Sequence, residues 1–247
     1  MFYVLYITLG YFILGAIATQ LANRGKEKKI KKERWVKIAV YFIIVHFILL
    51  VLLFRPSWFI YIALFIVITG FYEIIKTGRH KGRTIAVIFA LIIYLLISSG
   101  FLSVCTYISP EGLIQVFLMV FIFDGFSQIA GQLFGKRKLL PKVSPGKTGE
   151  GFAGGFIATL LTAIFLLMRD TSRVDVLIST CLICFAALCG DLLASLYKRK
   201  MGVKDFSKLI PGHGGVLDRF DSLIAAGCAI FVYLFVVLSI LFNNIKL

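Results

Sequence analysis

The sequence predicts an all-α membrane protein, a polytopic bundle of about eight transmembrane helices. Of its 247 residues, 60% are hydrophobic and only 16% are charged, whereas a soluble globular domain carries about 25% charged residues. The mean hydropathy is +0.94, and the polar residues are concentrated in a few short runs. These observations exclude an ordinary soluble domain and favour a single integral membrane domain over 1–247.

Eight apolar windows are long enough to cross a bilayer, which takes about 20 residues per helix. Two of them, 112–135 and 176–197, contain one carboxylate each, and the continuous apolar runs lack the period-two alternation of a β-barrel. Ser98-Ser99-Gly100 leave open whether the fourth window is one helix or a helix followed by a re-entrant segment. The uncharged windows are 1–22, 38–54, 56–72, 84–110, 151–168 and 222–245.

The basic residues predict how the bundle is oriented. Segments 24–37, 76–83, 136–147 and 198–219 hold eight, four, five and six Lys or Arg, which is 23 of the 27. The positive-inside rule therefore predicts that these four segments face the cytoplasm and that both termini lie outside. We expect 24–37 to be a solvated loop that sets topology, with a patch on anionic headgroups as the alternative.

A net charge of +15 could suggest a nucleic-acid partner. Aromatic residues that could stack on bases do not interleave with the basic runs, so we expect no nucleic acid. The charge is better explained by membrane topology.

Two carboxylates fall inside apolar windows. Asp124 has Gln128 one helical turn further on, and Asp191 shares a helix face with Ser195 and Lys198. A carboxylate at the centre of a membrane helix costs roughly 2.5–3.5 kcal/mol, so it indicates a functional residue by default. A buried aspartate paired with Lys or Arg is the structural alternative.

A third polar site lies between the last two windows. The glycine-rich stretch 211–215 precedes Asp218 and Asp221, which are three residues apart at the start of the last helix. Together with Asp191 and the surrounding basic residues, these carboxylates suit Mg²⁺ holding a polyphosphate. His213 on its own indicates little, because a lone histidine is more often structural.

The segment 136–151 resembles a P-loop only superficially. A Walker A loop needs glycine five residues before Gly146, where Pro141 stands. The residues still suit a phosphate-facing loop, with Lys147 supplying charge and the hydroxyls of Ser144 and Thr148 supplying donors.

These motifs together resemble a known family. Residues 195–221 read SLYKRKMGVKDFSKLIPGHGGVLDRFD, which resembles the signature of the CDP-diacylglycerol synthases (phosphatidate cytidylyltransferases) in order and spacing. The stretch 124–155 is similar to the family's second conserved region, including SPGKTGEG over 144–151. The resemblance covers 111–247, the predicted catalytic half, while 1–110 match only as generic membrane helices.

The resemblance implies an activity and its partners. The protein would transfer a cytidylyl group from CTP to phosphatidate, giving CDP-diacylglycerol and pyrophosphate in phospholipid biosynthesis. It would require Mg²⁺ as cofactor, with a second cation as an option. The implied partners are CTP, phosphatidate or a related lipid phosphate, membrane lipids and, since family members often pair, a second copy in a homodimer.

The resemblance also implies roles for individual residues. The metal ligands would be Asp191 and Asp218. The catalytic residues would be Asp191, Lys198, Asp218 and Asp221. The substrate-binding residues would be Asp124, Gln128, Ser144, Lys147, Thr148, Glu150, Ser195, Arg199, Lys204, Asp205, His213, Gly214, Gly215 and Arg219.

The sequence departs from the family pattern in places. Ala194 stands where an acidic residue is usual, and Gly125-Phe126-Ser127-Gln128 stand where Thr-Gly-Ala-Tyr is common. Two other functions stay open on this basis. One is a CTP-dependent lipid or polyprenol kinase, which would release CDP instead of pyrophosphate, and the other is a catalytically silent membrane relative or a transporter.

Overall fold

The computed structural model of the chain describes residues 3–79, 83–167, 172–212 and 214–245. Within these ranges, eight helices are long and apolar enough to cross a membrane, so the predicted all-α transmembrane bundle is confirmed. The helices are α1 (Tyr3–Ala22), α2 (Lys28–Phe54), α3 (Phe59–Arg79), α4 (Thr84–Tyr107), α5 (Pro110–Phe134), α6 (Gly149–Leu167), α7 (Arg173–Lys200) and α8 (Leu217–Ile245).

Two short elements complete the fold. A 3₁₀ turn, Pro56–Trp58, joins α2 to α3. An antiparallel hairpin of β1 (Lys138–Leu140) and β2 (Ser144–Thr148) joins α5 to α6, where the sequence predicted a loop. The hairpin gives that predicted phosphate-facing segment a defined backbone.

The prediction of a loop over 24–37 is wrong for most of that segment. Helix α2 begins at Lys28, so only 24–27 precede it. Helix α7 likewise continues through its basic end to Lys200. Lys and Arg are good helix formers, and a helix can leave the bilayer without ending, so the apolar window marks the membrane span and not the helix boundary.

Helix α4 is continuous from Thr84 to Tyr107, so the predicted alternative of a break at Ser98-Ser99-Gly100 is wrong. The hydroxyls of Ser99 and Ser103 in this part of the helix bond to carbonyls of the preceding turn. Ser99 Oγ donates to Leu96 O at 2.8 Å, and Ser103 Oγ donates to Ser99 O at 2.9 Å. Polar side chains satisfied in this way do not interrupt a membrane helix.

Helix α5 forms the centre of the bundle. It starts at a serine N-cap, where Ser109 Oγ accepts from Gly112 N at 3.2 Å. Its residues from Leu113 to Phe123 are almost all buried. Such burial on all sides is expected of a helix enclosed by its neighbours, and it fixes the position of the half-buried Asp124 that follows.

Helix α6 packs directly against the backbone of α5 through glycines. A Cβ placed on Gly155 would lie 2.7 Å from Phe123 O, and one placed on Gly151 would lie 2.8 Å from Ser127 O. Small residues permit this close approach of membrane helices. The β hairpin, which precedes α6, is therefore held beside the end of α5.

The basic segments meet at one end of the bundle. Arg199 Nε, at the end of α7, donates to Val143 O of the hairpin at 3.1 Å. The Arg83 guanidinium, just before α4, donates to Lys200 O. Three of the four basic segments are thus in direct contact, as expected if they share one side of the membrane.

We predict that Gly155→Ala destabilises the protein although alanine favours helix formation. The added methyl group would overlap Phe123 O, and overpacking of this kind costs roughly 1–3 kcal/mol. The measurement is the thermal unfolding temperature in detergent.

Gly10→Ala in α1 is the matched control, because nothing lies within 4 Å of the position of its Cβ. Equal unfolding temperatures for the two variants would contradict the proposed backbone contact between α5 and α6.

Candidate active site

A polar cavity of about 900 Å³ lies at the end of the bundle where the basic segments meet. Its size is within the range of small-molecule sites. The predicted site residues on its wall are Asp124, Gln128, Ser144, Lys147, Thr148, Asp191, Lys204, Asp205, Gly214, Asp218, Arg219 and Asp221. Residues distant in the sequence are therefore gathered around one space.

Lys147 and Asp191 form an ion pair on the cavity wall. Lys147 Nζ lies 2.7 Å from Asp191 Oδ2, and both side chains retain some exposure to the cavity. Burial lowers the pKa of Lys147, but the nearby carboxylates of Asp124 and Asp191 outweigh this effect and raise that pKa above its ordinary value. Lys147 therefore stays protonated over the physiological pH range.

Asp218 is occupied by protein donors on both of its oxygens. Oδ1 lies 2.6 Å from Lys198 Nζ, while Oδ2 accepts from the backbone N–H groups of Phe206 and Gly215, each at 2.8 Å. Asp218 and Lys198 are both buried. Their pairing ties the end of α7 and the start of α8 to the connecting segment between them, residues 201–216.

Glu73 of α3 holds the same segment from the other side, and the sequence analysis missed it. Its Oε1 accepts from Ser207 Oγ at 2.6 Å and from Val216 N at 3.1 Å. Its Oε2 accepts from Leu217 N at 2.8 Å. The carboxylate is fully buried and caps the N-terminus of α8, where a negative charge is favourable.

A signal for Glu73 was present in the sequence. Gly70, Glu73, Ile74 and Thr77 fall on one helix face, and all four are buried. A carboxylate on the small, inward face of a membrane helix indicates a polar partner. The partner itself, 134 to 144 residues away, could not be read from the sequence.

The glycines of the connecting segment are required by its backbone and its neighbours. Gly212 and Gly214 have φ angles of 73° and 86°, which side-chain-bearing residues rarely adopt. A Cβ on Gly215 would lie 2.7 Å from Glu73 Oε2. His213, a predicted substrate-binding residue, lies outside the described residues.

Asp221 and Arg219 present unsatisfied polar atoms. Asp221 Oδ1 accepts from Ser222 N at 2.7 Å, but Oδ2 is buried without a hydrogen-bond partner among the described residues. Arg219 Nε is likewise buried and has no hydrogen-bond partner within the described ranges. Asp124 lies beside them, with Oδ1 accepting from Ser222 Oγ at 3.4 Å. Buried unpaired groups of both signs indicate a place for a charged ligand or ion.

Other predicted site residues have structural contacts. Glu150 accepts from Lys136 N at 3.0 Å and so closes the hairpin. Thr148 Oγ1 accepts from Gly151 N at 3.1 Å at the start of α6. Arg199 is turned toward the hairpin, and Ser195 is buried in α7. Lys198, Glu150, Ser195, Arg199 and Gly215 do not line the polar cavity.

The cavity fits a sparsely liganded magnesium ion. Among the residues that the structure describes, no three His, Cys, Asp or Glu side chains lie together as a metal site. Mg²⁺ usually takes only one or two protein carboxylates and completes its shell with water and phosphate oxygens. Asp191 and Asp221 both line the cavity, and the unpaired Asp221 Oδ2 makes Asp221 a further candidate ligand.

Comparison with known proteins identifies relatives of this chain. A model of the cytidylyltransferase family matches residues 110–238. Phosphatidate cytidylyltransferase of Haemophilus influenzae is 48% identical over 122 residues, covering 46% of this chain and 42% of that protein. Phosphatidate cytidylyltransferase of Rickettsia felis is 30% identical over 228 residues, covering 85% of this chain and 97% of that protein.

The extent of these matches differs along the chain. Phosphatidate cytidylyltransferase of Staphylococcus haemolyticus is 42% identical over 115 residues, covering 45% of this chain and 44% of that protein. The chain thus spans less than half the length of the relatives from Haemophilus and Staphylococcus, and almost all of the Rickettsia protein. The family model begins at α5 and so does not include Glu73.

We predict that Glu73→Gln loosens the connecting segment. The amide offers one acceptor oxygen where the carboxylate accepts from three donors, and loss of hydrogen bonds to a charged group costs about 2 kcal/mol or more. The measurements are thermal unfolding and the rate of tryptic cleavage after Lys204 and Lys208.

Glu111→Gln is the matched control, because the Glu111 carboxylate also lies near a helix N-terminus, in the first turn of α5, but is exposed to solvent. If both variants had the same unfolding temperature and the same tryptic cleavage rate as the unchanged protein, Glu73 would not hold the segment.

Proposed function

Because the chain belongs to the cytidylyltransferase family, we propose that it transfers the cytidylyl group of CTP to phosphatidate. The observation that carries this proposal is the polar cavity, in which Asp124, Asp191 and Asp221 face Lys147 and Arg219. Cations beside carboxylates are what a metal-bound triphosphate requires. Relatives named phosphatidate cytidylyltransferase indicate the acceptor.

The proposed reaction requires the protein to position the two substrates and to stabilise negative charge on their phosphates. A phosphate oxygen of the lipid attacks the α-phosphorus of CTP, and the bond from that phosphorus to the bridging oxygen of the β-phosphate breaks. CDP-diacylglycerol forms, and pyrophosphate leaves with the bond electrons. Lys147, Lys204 and Arg219 would bind the phosphate oxygens, where negative charge grows during the transfer.

Asp218 and Lys198 would contribute through the cavity's shape. Their pair fixes the connecting segment, which carries Lys204 and Asp205 on the cavity wall. Both oxygens of Asp218 already accept hydrogen bonds, from Lys198, Phe206 and Gly215. A metal ion would have to share these oxygens, so the role of Asp218 as a metal ligand stays a prediction.

Mg²⁺ would be held by Asp191 with Asp218 or Asp221. When bound, it would neutralise negative charge on the triphosphate and on the departing pyrophosphate. A second cation and a homodimer likewise stay predictions.

We further propose that the cavity opens to the cytoplasm. The protein is an integral membrane protein, since eight helices within the described ranges are long and apolar enough to cross a membrane. The segments that carry 23 of its 27 Lys and Arg adjoin the cavity end of the bundle, which supports a cytoplasmic location by the positive-inside rule. CTP would then reach the site without crossing the membrane.

The experiment for the proposed function is product analysis by mass. Purified protein in detergent is incubated with CTP, Mg²⁺ and phosphatidate, and CDP-diacylglycerol with pyrophosphate is expected. Formation of CDP with a lipid alcohol as acceptor would indicate a kinase instead. Absence of turnover with either acceptor would contradict both reactions.

We predict that Asp191→Asn lowers kcat by about 100-fold or more, because it removes a carboxylate that is proposed to hold Mg²⁺ and that pairs with Lys147. The unfolding temperature should change little, since Asp191 lies at the cavity wall. The measurement is initial rate against CTP and Mg²⁺ concentration.

Asp175→Asn is the matched control on the same helix, since Asp175 is exposed at the opposite end of α7. Asp218→Asn should lose both activity and stability, because it breaks the pair with Lys198. Activity retained in both Asp191→Asn and Asp218→Asn would contradict the metal assignment.

A further inference from the structure

A second cavity, of about 1200 Å³, lies on the other side of α7 and α8 from the polar cavity. Helix α4 forms its outer wall with Phe89, Ala90 and Ile93, while Leu193 and Ala194 of α7 face them. We call this space the α4 groove. Its wall is mainly apolar and lies among membrane-spanning helices, which suits hydrocarbon chains.

Three cations stand at one end of the α4 groove. Arg83, Arg199 and Lys200 line it there and are exposed. The Arg83 guanidinium donates to Lys200 O, which fixes the start of α4 against the end of α7. An apolar groove with a basic end complements an anionic lipid. The apolar wall can contact the acyl tails, and the cations can attract the negatively charged headgroup.

The α4 groove adjoins the polar cavity at Asp221. This residue lines both spaces. Gly190 lines the groove at the same place, and a Cβ on it would lie 2.6 Å from Asp221 O, so α7 and α8 are in backbone contact there. A headgroup that lies beside Gly190 is thus separated from the polar cavity by about one side chain.

From the groove, its cations and its junction with the polar cavity, we propose that the α4 groove holds the acyl chains of the lipid phosphate. The phosphate lies at Asp221, where it meets the nucleotide, and Arg83, Arg199 and Lys200 attract the anionic headgroup from the basic end of the groove. This inference rests on the proposed cytidylyl transfer and assigns the lipid half of that site. Ala194, where the family pattern usually has an acidic residue, then contacts lipid and not nucleotide.

A second copy of the chain fits the α4 groove less well. Most homodimer interfaces are two-fold, so the same surface faces itself across the axis. Such an arrangement would bring the cluster of Arg83, Arg199 and Lys200 toward its own copy. Like charges at an interface are unfavourable, whereas a lipid phosphate would neutralise them.

The kinetic test uses a variant whose larger side chain narrows the α4 groove. Ala90→Phe is expected to raise the KM for long-chain phosphatidate about tenfold or more, since steric loss of hydrocarbon contacts changes specificity by that order. The KM for CTP should stay within about twofold, and short-chain phosphatidate should be less affected. Leu96→Phe is the matched control, because Leu96 is on the same helix but outside the groove.

A rival path for the lipid would run along α1, where Gly15 lines the polar cavity with space around it. A Cβ there would meet only Ile129 Cδ1, at 3.8 Å. If Gly15→Phe raised the KM for phosphatidate and Ala90→Phe did not, the α4 groove would be excluded as the lipid site.

Photo-crosslinking tests the site without turnover. Phosphatidate with a diazirine in one acyl chain is irradiated with the full-length protein in vesicles, and the labelled peptides are identified by mass. Labels on α4 and α7, reduced in Ala90→Phe, are expected. Labels elsewhere, with CDP-diacylglycerol still formed, would overturn the groove assignment alone.

The remaining outcomes separate the two proposals. Labels in the groove without any CDP-diacylglycerol would keep the lipid site and overturn the proposed reaction. Efficient disulfide cross-linking between two chains through Leu193→Cys, together with loss of labelling from α7, would show a second copy in the groove and overturn the lipid assignment.

Discussion

The carboxylate of Asp218 is the point on which the candidate site depends. One oxygen meets Lys198 of α7, and the other receives two backbone N–H groups from the connecting segment. A buried ion pair gains little by itself, since both charges lose water, but the two additional donors satisfy the carboxylate. The arrangement fixes where the segment lies between two membrane helices, and with it one wall of the polar cavity.

Four carboxylates of the candidate site divide into two groups by what they accept. Glu73 and Asp218 have protein donors on every oxygen and shape the segment before α8. Asp191 and Asp221 face the cavity, and Asp221 keeps one oxygen unpaired among the described residues. The first group creates the rigid frame that lets the second present negative charge to a ligand at a defined position.

Much of this organisation could be predicted from the sequence. Apolar windows gave the eight helices, and intramembrane carboxylates led to Asp124 and Asp191, because both signals are local. The helical start of α2 was missed because hydropathy locates the membrane span, whereas the backbone hydrogen bonds of the helix continue into polar residues outside it. Glu73 was missed because its partners lie more than 130 residues away, and the apolar groove was missed because apolar residues on many helices look alike in sequence.

Glu73 bears on how this protein can be divided or recombined. The residues matched by the family model begin at α5, yet the helix cap of α8 is supplied by α3. A fragment limited to the matched half would leave Ser207, Val216 and Leu217 without their acceptor. Chimeras between relatives should therefore exchange α3 together with the last two helices, as one inherited unit.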